Sequence, residues 1–185
     1  DYTSVSDATA APELPEFPVL GSEQLHLGQI TAAQAGDLFR LFTAPEVANG
    51  HGERMVDVEH AKRLVENLSD AFQTGVGICW GLRLPGSSEV IGTCSLAWST
   101  PNHSALLSYD LAPIHWGRGL MREAVKLALG YGFHERGLNR VQATTLTDND
   151  RSKALLKAHG FTQEGVLREY GFIGGRYRDM CSFSL

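Results

Sequence analysis

The sequence predicts a mixed α/β fold, a central sheet of about seven strands flanked by helices. Three observations carry this expectation. Residues 76–84, 90–98 and 105–111 are consecutive β-rich runs joined by short polar turns, the pattern of an antiparallel meander. The last of these runs feeds a Gly-rich turn, a helix over about 119–135 and a further strand over 140–147. A strand, helix, strand crossover makes its two strands parallel neighbours. Residues 161–170 and 177–185 then close the sheet across Gly174-Gly175.

Composition bounds the class. A length of 185 residues with 43% apolar content suits one domain that buries a sizeable core. Residues 1–21 carry Pro12, Pro15 and Pro18 among Ser, Thr, Ala and acidic residues, which predicts a flexible arm ahead of a domain at 22–185. The net charge is −5 and no basic face is clustered, so a nucleic-acid partner is not expected. No apolar run approaches the roughly 20 residues of a membrane span. The first residues show no basic region followed by an apolar run, and the expected location is cytoplasmic. Cys79, Cys94 and Cys181 are odd in number and widely spaced, as buried small side chains in a reducing compartment would be. The histidines form no i,i+4 pair, so no metal is expected.

The elements follow in order. Residues 24–30 alternate Leu25 and Leu27 with polar side chains, a first strand. Thr31 and Gln34 have capping-box spacing, and the helix they open places Ala35, Leu38, Phe39 and Phe42 on one face before Pro45 stops it. Residues 45–55 read as a Gly-rich loop able to wall a pocket. From about Asp57, Val58, Ala61, Leu64, Val65, Leu68 and Phe72 recur at helical spacing. Pro85-Gly86-Ser87-Ser88 is a hairpin turn. Asn149 is placed to cap a short helix that ends near His159, with Gly160 at C′.

Residues 111–124 organise the chain. Leu111 ends a strand, Gly117-Arg118-Gly119 makes a turn, and Leu120 begins a helix. Glycines let backbone N–H groups converge, and a helix N-terminus adds about half a positive charge, so this is a place to hold phosphate.

Four blocks then carry a family resemblance: Trp116-Gly117-Arg118-Gly119-Leu120 with Glu123-Ala124; Asn149-Asp150-Arg151-Ser152; His159-Gly160-Phe161-Thr162-Gln163-Glu164-Gly165; and Arg176-Tyr177-Arg178-Asp179. In order and spacing they resemble the GNAT-superfamily N-acetyltransferases, closest to the RimJ/RimL-like branch, over roughly residues 21–185. The resemblance implies a V-shaped splay between the two central parallel strands, with acetyl-CoA in the gap. It implies pyrophosphate on the backbone of Trp116, Gly117, Arg118, Gly119, Leu120 and Met121. It also implies pantetheine along the strand edge near Tyr109 to Ala112, Leu111 included, as a false extra strand, and Asn149 and Ser152 at the thioester. The family's loop usually begins with Gln or Arg, where this chain has Ile114; the amides, which that change leaves alone, hold the phosphates.

The implied reaction is direct attack of a neutral amine on the thioester. It needs a proton acceptor, oxyanion donors and a proton donor for the thiolate. Ser152 is the candidate donor for the thiolate, against a plain role in a short helix; a strand-edge N–H near Leu111 could serve the oxyanion. Relatives carry an acidic residue in the strand that here reads Leu106-Leu107-Ser108-Tyr109, or at the position of Gly171; neither carboxylate is present. Glu169, Tyr170 and His51 are the substitutes. Trp80, Trp98, Tyr170 and His51 are the candidate acceptor wall, with core packing or plain surface the competing role for each.

The missing carboxylate bears on the acceptor. At pH 7 about one α-amine in ten to one in five is neutral, against about four lysines in ten thousand. The expected acceptor is therefore a protein or peptide N-terminal α-amine of the ribosomal-protein type. The alternatives are a small-molecule amine, in detoxification or antibiotic self-protection, and a non-catalytic acetyl-CoA sensor. The expected assembly is a monomer or homodimer. An open groove would favour a peptide and a closed aromatic pocket a small molecule.

Overall fold

The computed structural model describes residues 16–51 and 54–185. Its sheet has eight strands: β1 (Leu20–Gly21), β2 (His26–Gly28), β3 (Gly77–Arg83), β4 (Gly92–Ser99), β5 (Ser104–Leu111), β6 (Arg140–Leu146), β7 (Thr162–Ile173) and β8 (Arg176–Ser184). They lie in the order β1-β2-β3-β4-β5-β6-β8-β7. The helices are α1 (Ala35–Thr43), α2 (Pro45–Ala48), α3 (Val58–Gln73), α4 (Leu120–Gly130) and α5 (Asp150–Ala158); a π-helical turn, Tyr131–Glu135, extends α4.

The eighth strand comes from the expected arm. Leu20 and Gly21 pair with Leu27 and His26, Phe17 packs its ring 4.8 Å from that of Phe72, and the Pro18 carbonyl accepts 2.8 Å from Trp80 Nε1. The chain is thus packed from Phe17 onward, and the expectation of an arm through Gly21 is corrected at that end; residues 1–15 lie outside the described residues. The first full strand is shorter than its alternation suggested. Past Gly28, the Gln29 carbonyl accepts from Arg83 Nη2 at 2.8 Å, so a side chain takes over from the ladder. The Thr31/Gln34 capping box forms, with Thr31 N–H donating to Gln34 Oε1 at 3.0 Å.

The expected loop at 45–55 contains a helical turn, α2. Pro45 stands at its first position, where a missing N–H costs nothing, and buried Val47 anchors it. This turn fixes the direction in which Asn49, Gly50 and His51 leave the scaffold.

The core lies on both sides of the sheet. Trp80, Leu82, Leu96 and Phe183 are fully buried and pack with Ala124, Val125 and Ala128 of α4 in one cluster. Leu38, Ala61 and Val65, from α1 and α3, form a smaller cluster with Ile30 and Val90. The antiparallel run from β2 to β5 and the parallel β5–β6 pair match the crossover expected from sequence. That parallel pair is short. Ser104, Ala105 and Leu106 face Arg140, Val141 and Gln142, while β6 goes on to pair with β8 as far as Leu146↔Met180. Beyond Leu106 the two central strands part, which is the implied splay.

Candidate active site

The gap opens onto a cavity of about 530 Å³, within the range of small-molecule and cofactor sites. One side is the turn before α4. Gly117 (φ 74°) and Gly119 (φ 76°) both take the left-handed conformation that disfavours a side chain, and a Cβ on either would meet nothing within 4 Å. Gly119 is the N-cap of α4. The first N–H groups of a helix have no partner inside it, so those of α4 turn toward the cavity lined by Gly119, Leu120, Met121 and Arg122. Trp116 is held by its indole N–H, which donates 2.8 Å to the Leu111 carbonyl, and the Arg151 guanidinium stacks 3.6 Å from the centre of its ring.

The floor is the free edge of β5. In an antiparallel pair, alternate residues send both backbone groups toward the partner strand. The Ala112 N–H donates to the Ile91 carbonyl at 2.9 Å, which fixes the phase: even-numbered residues of β5 bond toward β4. Leu107, Tyr109 and Leu111 therefore turn their backbone groups into the gap. The Leu111 carbonyl, captured by Trp116, agrees with this phase.

On one face of this edge, Tyr109 Oη and Ser152 Oγ are 2.6 Å apart. Burial pushes the Tyr109 phenol up to about 12, with the Ser152 hydrogen bond opposing and the nearby Cys94 and Asp110 adding to the rise. The phenol stays protonated at neutral pH and can donate. Asn149 caps α5: its side-chain oxygen accepts from the Ser152 N–H at 3.0 Å, which aims Ser152 at the cavity. On the opposite face, Asp110 Oδ1 lies 2.8 Å from His51 Nε2. That hydrogen bond raises the His51 pKa, partial burial opposes it, and the Asp110 charge adds to the rise. The imidazole also stands edge-on to Phe42, centroids 5.1 Å apart. Glu46, Val47, Asn49 and Gly50 line the cavity on this side, and Arg178, paired with Asp148 at 2.7 Å, lines its rim.

The family model for the acetyltransferase (GNAT) domain matches residues 24–162. The chain belongs to the GNAT acetyltransferases. It is 34% identical over 171 residues to the uncharacterized N-acetyltransferase YoaA of Bacillus subtilis (strain 168), covering 91% of this chain and 97% of the relative. The solved structure of a ribosomal-protein-S5-alanine acetyltransferase from Vibrio fischeri superposes with a TM-score of 0.83 at 23% identity, covering 91% and 96% of the two chains. Mycobacterium smegmatis RimJ, solved in complex with CoA-disulfide, superposes with a TM-score of 0.80 at 22% identity, covering 91% and 86%. The acetyltransferase is thus an enzyme that takes its acetyl group from acetyl-CoA. Its open glycine turn, helix start and unpaired strand edge fit that donor. Among the described residues, no group of three or more metal-ligating side chains is present and no helix is long and apolar enough to cross a membrane.

Not every residue singled out from sequence comes to the acetyltransferase cavity. Leu111, Trp116, Gly117, Gly119, Leu120, Met121, Asn149 and Ser152 line it. Arg118 instead turns to His115, with its guanidinium 3.1 Å from Nδ1. Trp80 is fully buried between the Pro18 carbonyl and the Tyr131 ring, so it is core. Trp98 lines a separate hollow of about 200 Å³ with Ile78 and Arg136, whose guanidinium sits 5.1 Å from its ring. Glu169 and Tyr170 stand in a β-bulge between Leu167 and Gly171; Glu169 adopts φ 51° and its N–H donates to Asp179 at 2.8 Å, while Tyr170 is 63% exposed. Neither reaches the cavity. His51 adjoins it through Asp110 and Gly50. The Tyr109 hydroxyl and the Asp110 carboxylate were not singled out from sequence; alternation along β5 was the available signal, since consecutive residues must serve opposite faces.

Proposed function

We propose that the enzyme acetylates the N-terminal α-amine of a protein, of the ribosomal-protein type. The observation that carries this is the cavity wall opposite Ser152. Glu46, Val47, Asn49, Gly50 and Asp110 form it, with no aromatic side chain among them. A planar small molecule would want a stacking surface, whereas two carboxylates beside an open backbone turn suit a cationic chain end. The Vibrio fischeri structural neighbour, named for a ribosomal-protein substrate, supports the same reading.

In this reading each residue has one task. The N–H groups of Tyr109 and Leu111, turned into the gap, stabilise the oxyanion as the amine nitrogen bonds to the carbonyl carbon. Ser152 donates a proton to the departing thiolate, and Tyr109 Oη, still protonated, refills Ser152. The left-handed turn at Gly117 and Gly119 and the start of α4 hold the pyrophosphate.

The test is thiol release from acetyl-CoA with a panel of peptides, free amino acids, polyamines and aminoglycosides. Peptides with a free α-amine should turn over, also when their lysines are blocked, and N-formylated peptides should not. Turnover confined to polyamines or aminoglycosides overturns the reading.

A further inference from the structure

We propose that His51, oriented by Asp110, is the group that takes the proton from the acceptor ammonium. The inference rests on the acetyl-transfer reading above and deepens it by supplying the base that no carboxylate in the expected positions provides.

The geometry has three parts. First, Asp110 follows Tyr109 in β5, so its side chain leaves the strand on the face opposite Ser152. The proton donor and the proton acceptor thus lie on opposite faces of β5, the strand whose Tyr109 and Leu111 N–H groups turn into the gap. Second, a carboxylate can only accept, so the 2.8 Å contact puts the imidazole proton on Nε2 and the lone pair on Nδ1. Third, His51 is held in place. Its ring is edge-on to Phe42 of α1, and its backbone N–H donates 3.2 Å to the Ala48 carbonyl at the end of α2.

The ionisable groups around the pair do not displace it. The thiols of half-buried Cys79 on β3 and buried Cys94 on β4 are both pushed up by desolvation, Cys79 to about 12, and the Asp110 charge adds to each rise. The Tyr109 phenol is neutral for the same reasons. Glu46 of α2 lines the same wall and favours the ammonium form on arrival. The Asp110 charge is thus left to the imidazole. The Asp110 hydrogen bond raises the His51 pKa, which moves the imidazole toward an α-amine, near 7.7–8.0, and makes it a better proton acceptor for an α-ammonium.

The step balances. The ammonium loses one proton to His51 Nδ1, and the freed nitrogen pair forms the C–N bond. The C–S bond breaks, the thiolate takes the proton relayed by Ser152 and Tyr109, and the nitrogen, now bonded to carbon, gives up its second proton, which returns through water to Tyr109. His51 then returns its proton to water.

The experiment is the pH profile of kcat/KM for the intact enzyme and for H51Q, H51A and D110N, read by thiol release. The acceptor is whichever amine of the panel the wild type acetylates, so a failure of the peptide reading leaves this test intact. Acetyl-CoA affinity by calorimetry checks that each variant is folded. Wild type should show an acidic limb with an apparent pKa above 6.5, active once His51 is neutral. H51Q should lose that limb and about 100-fold or more in kcat/KM with acetyl-CoA affinity unchanged. D110N should move the limb to lower pH, and added imidazole should restore part of the H51A rate. Wild-type rate and limb in H51Q, or an H51A defect that imidazole leaves untouched, overturns the proposal.

Discussion

Tyr109 and Asp110 are adjacent in β5, yet each meets a different partner. Tyr109 Oη lies 2.6 Å from Ser152 Oγ and Asp110 Oδ1 lies 2.8 Å from His51 Nε2, on opposite faces of one strand. The two-residue side-chain period of a strand separates the two pairs without any insertion or bend.

The Ser152 side of this arrangement predicts a selective loss. Removing the hydroxyl in S152A should lower kcat by about 10- to 100-fold while the KM for acetyl-CoA stays near wild type, because proton donation matters in the transition state and not on binding. Y109F should give a smaller loss of the same kind. Steady-state kinetics with varied acetyl-CoA measures both; an unchanged kcat in both variants would show that the thiolate takes its proton from water.

Gly119 predicts a cofactor effect. It holds φ 76° at the N-cap of α4, a conformation that costs other L-residues about 1–2 kcal/mol. G119V should therefore melt several degrees lower. Its added side chain would occupy the space over the turn, so acetyl-CoA affinity should fall by more than about tenfold in calorimetry.

His51 predicts a pH-dependent share of stability. Its folded pKa is raised above 6.5, chiefly by the Asp110 hydrogen bond. The stabilisation is therefore fully present below about 6.5 and is lost as pH rises through the folded value. Urea unfolding of wild type and H51Q should differ more at pH 6 than at pH 8.5; an equal difference at both would show that the pair contributes no proton-linked stability.

Trp80 predicts the opposite signature from a binding residue. Its indole N–H donates to the Pro18 carbonyl from a fully buried ring. W80F leaves that carbonyl without its partner and a gap beside Tyr131, costing about 1–3 kcal/mol. Thermal melting should drop, while the KM for the acceptor should not move.

Features governed by neighbours in sequence were legible before any coordinates. The Thr31/Gln34 box, the Asn149 cap, the crossover through α4 and the turn at Gly174-Gly175 each depend on a few consecutive residues, and each formed. What the sequence left open depends on distance. His51 and Asp110 are 59 positions apart, and no periodicity announces their meeting. Trp80 and Trp98 alternate correctly within strands, but alternation states that a side chain has a face and not what that face looks upon. Glu169 and Tyr170 were carried away from the cavity by a bulge that an Asp179 carboxylate stabilises from the adjoining strand. Pro45 did signal α2, as a first-position proline, and its weight was lost beside the glycines that follow.

The short parallel seam has a mechanical consequence. Backbone bonding across the middle of the sheet runs from His103 to Leu106 against Asn139 to Gln142 and does not continue beyond. The molecule is therefore a notched plate: β1 to β5 form one leaf, β6 to β8 the other, and the seam is the root of the notch. Load that spreads the leaves concentrates there, under buried Ala105 and Val141. The opening available to a thioester therefore begins where that seam ends, at Leu106, ahead of Tyr109 and Leu111 along β5.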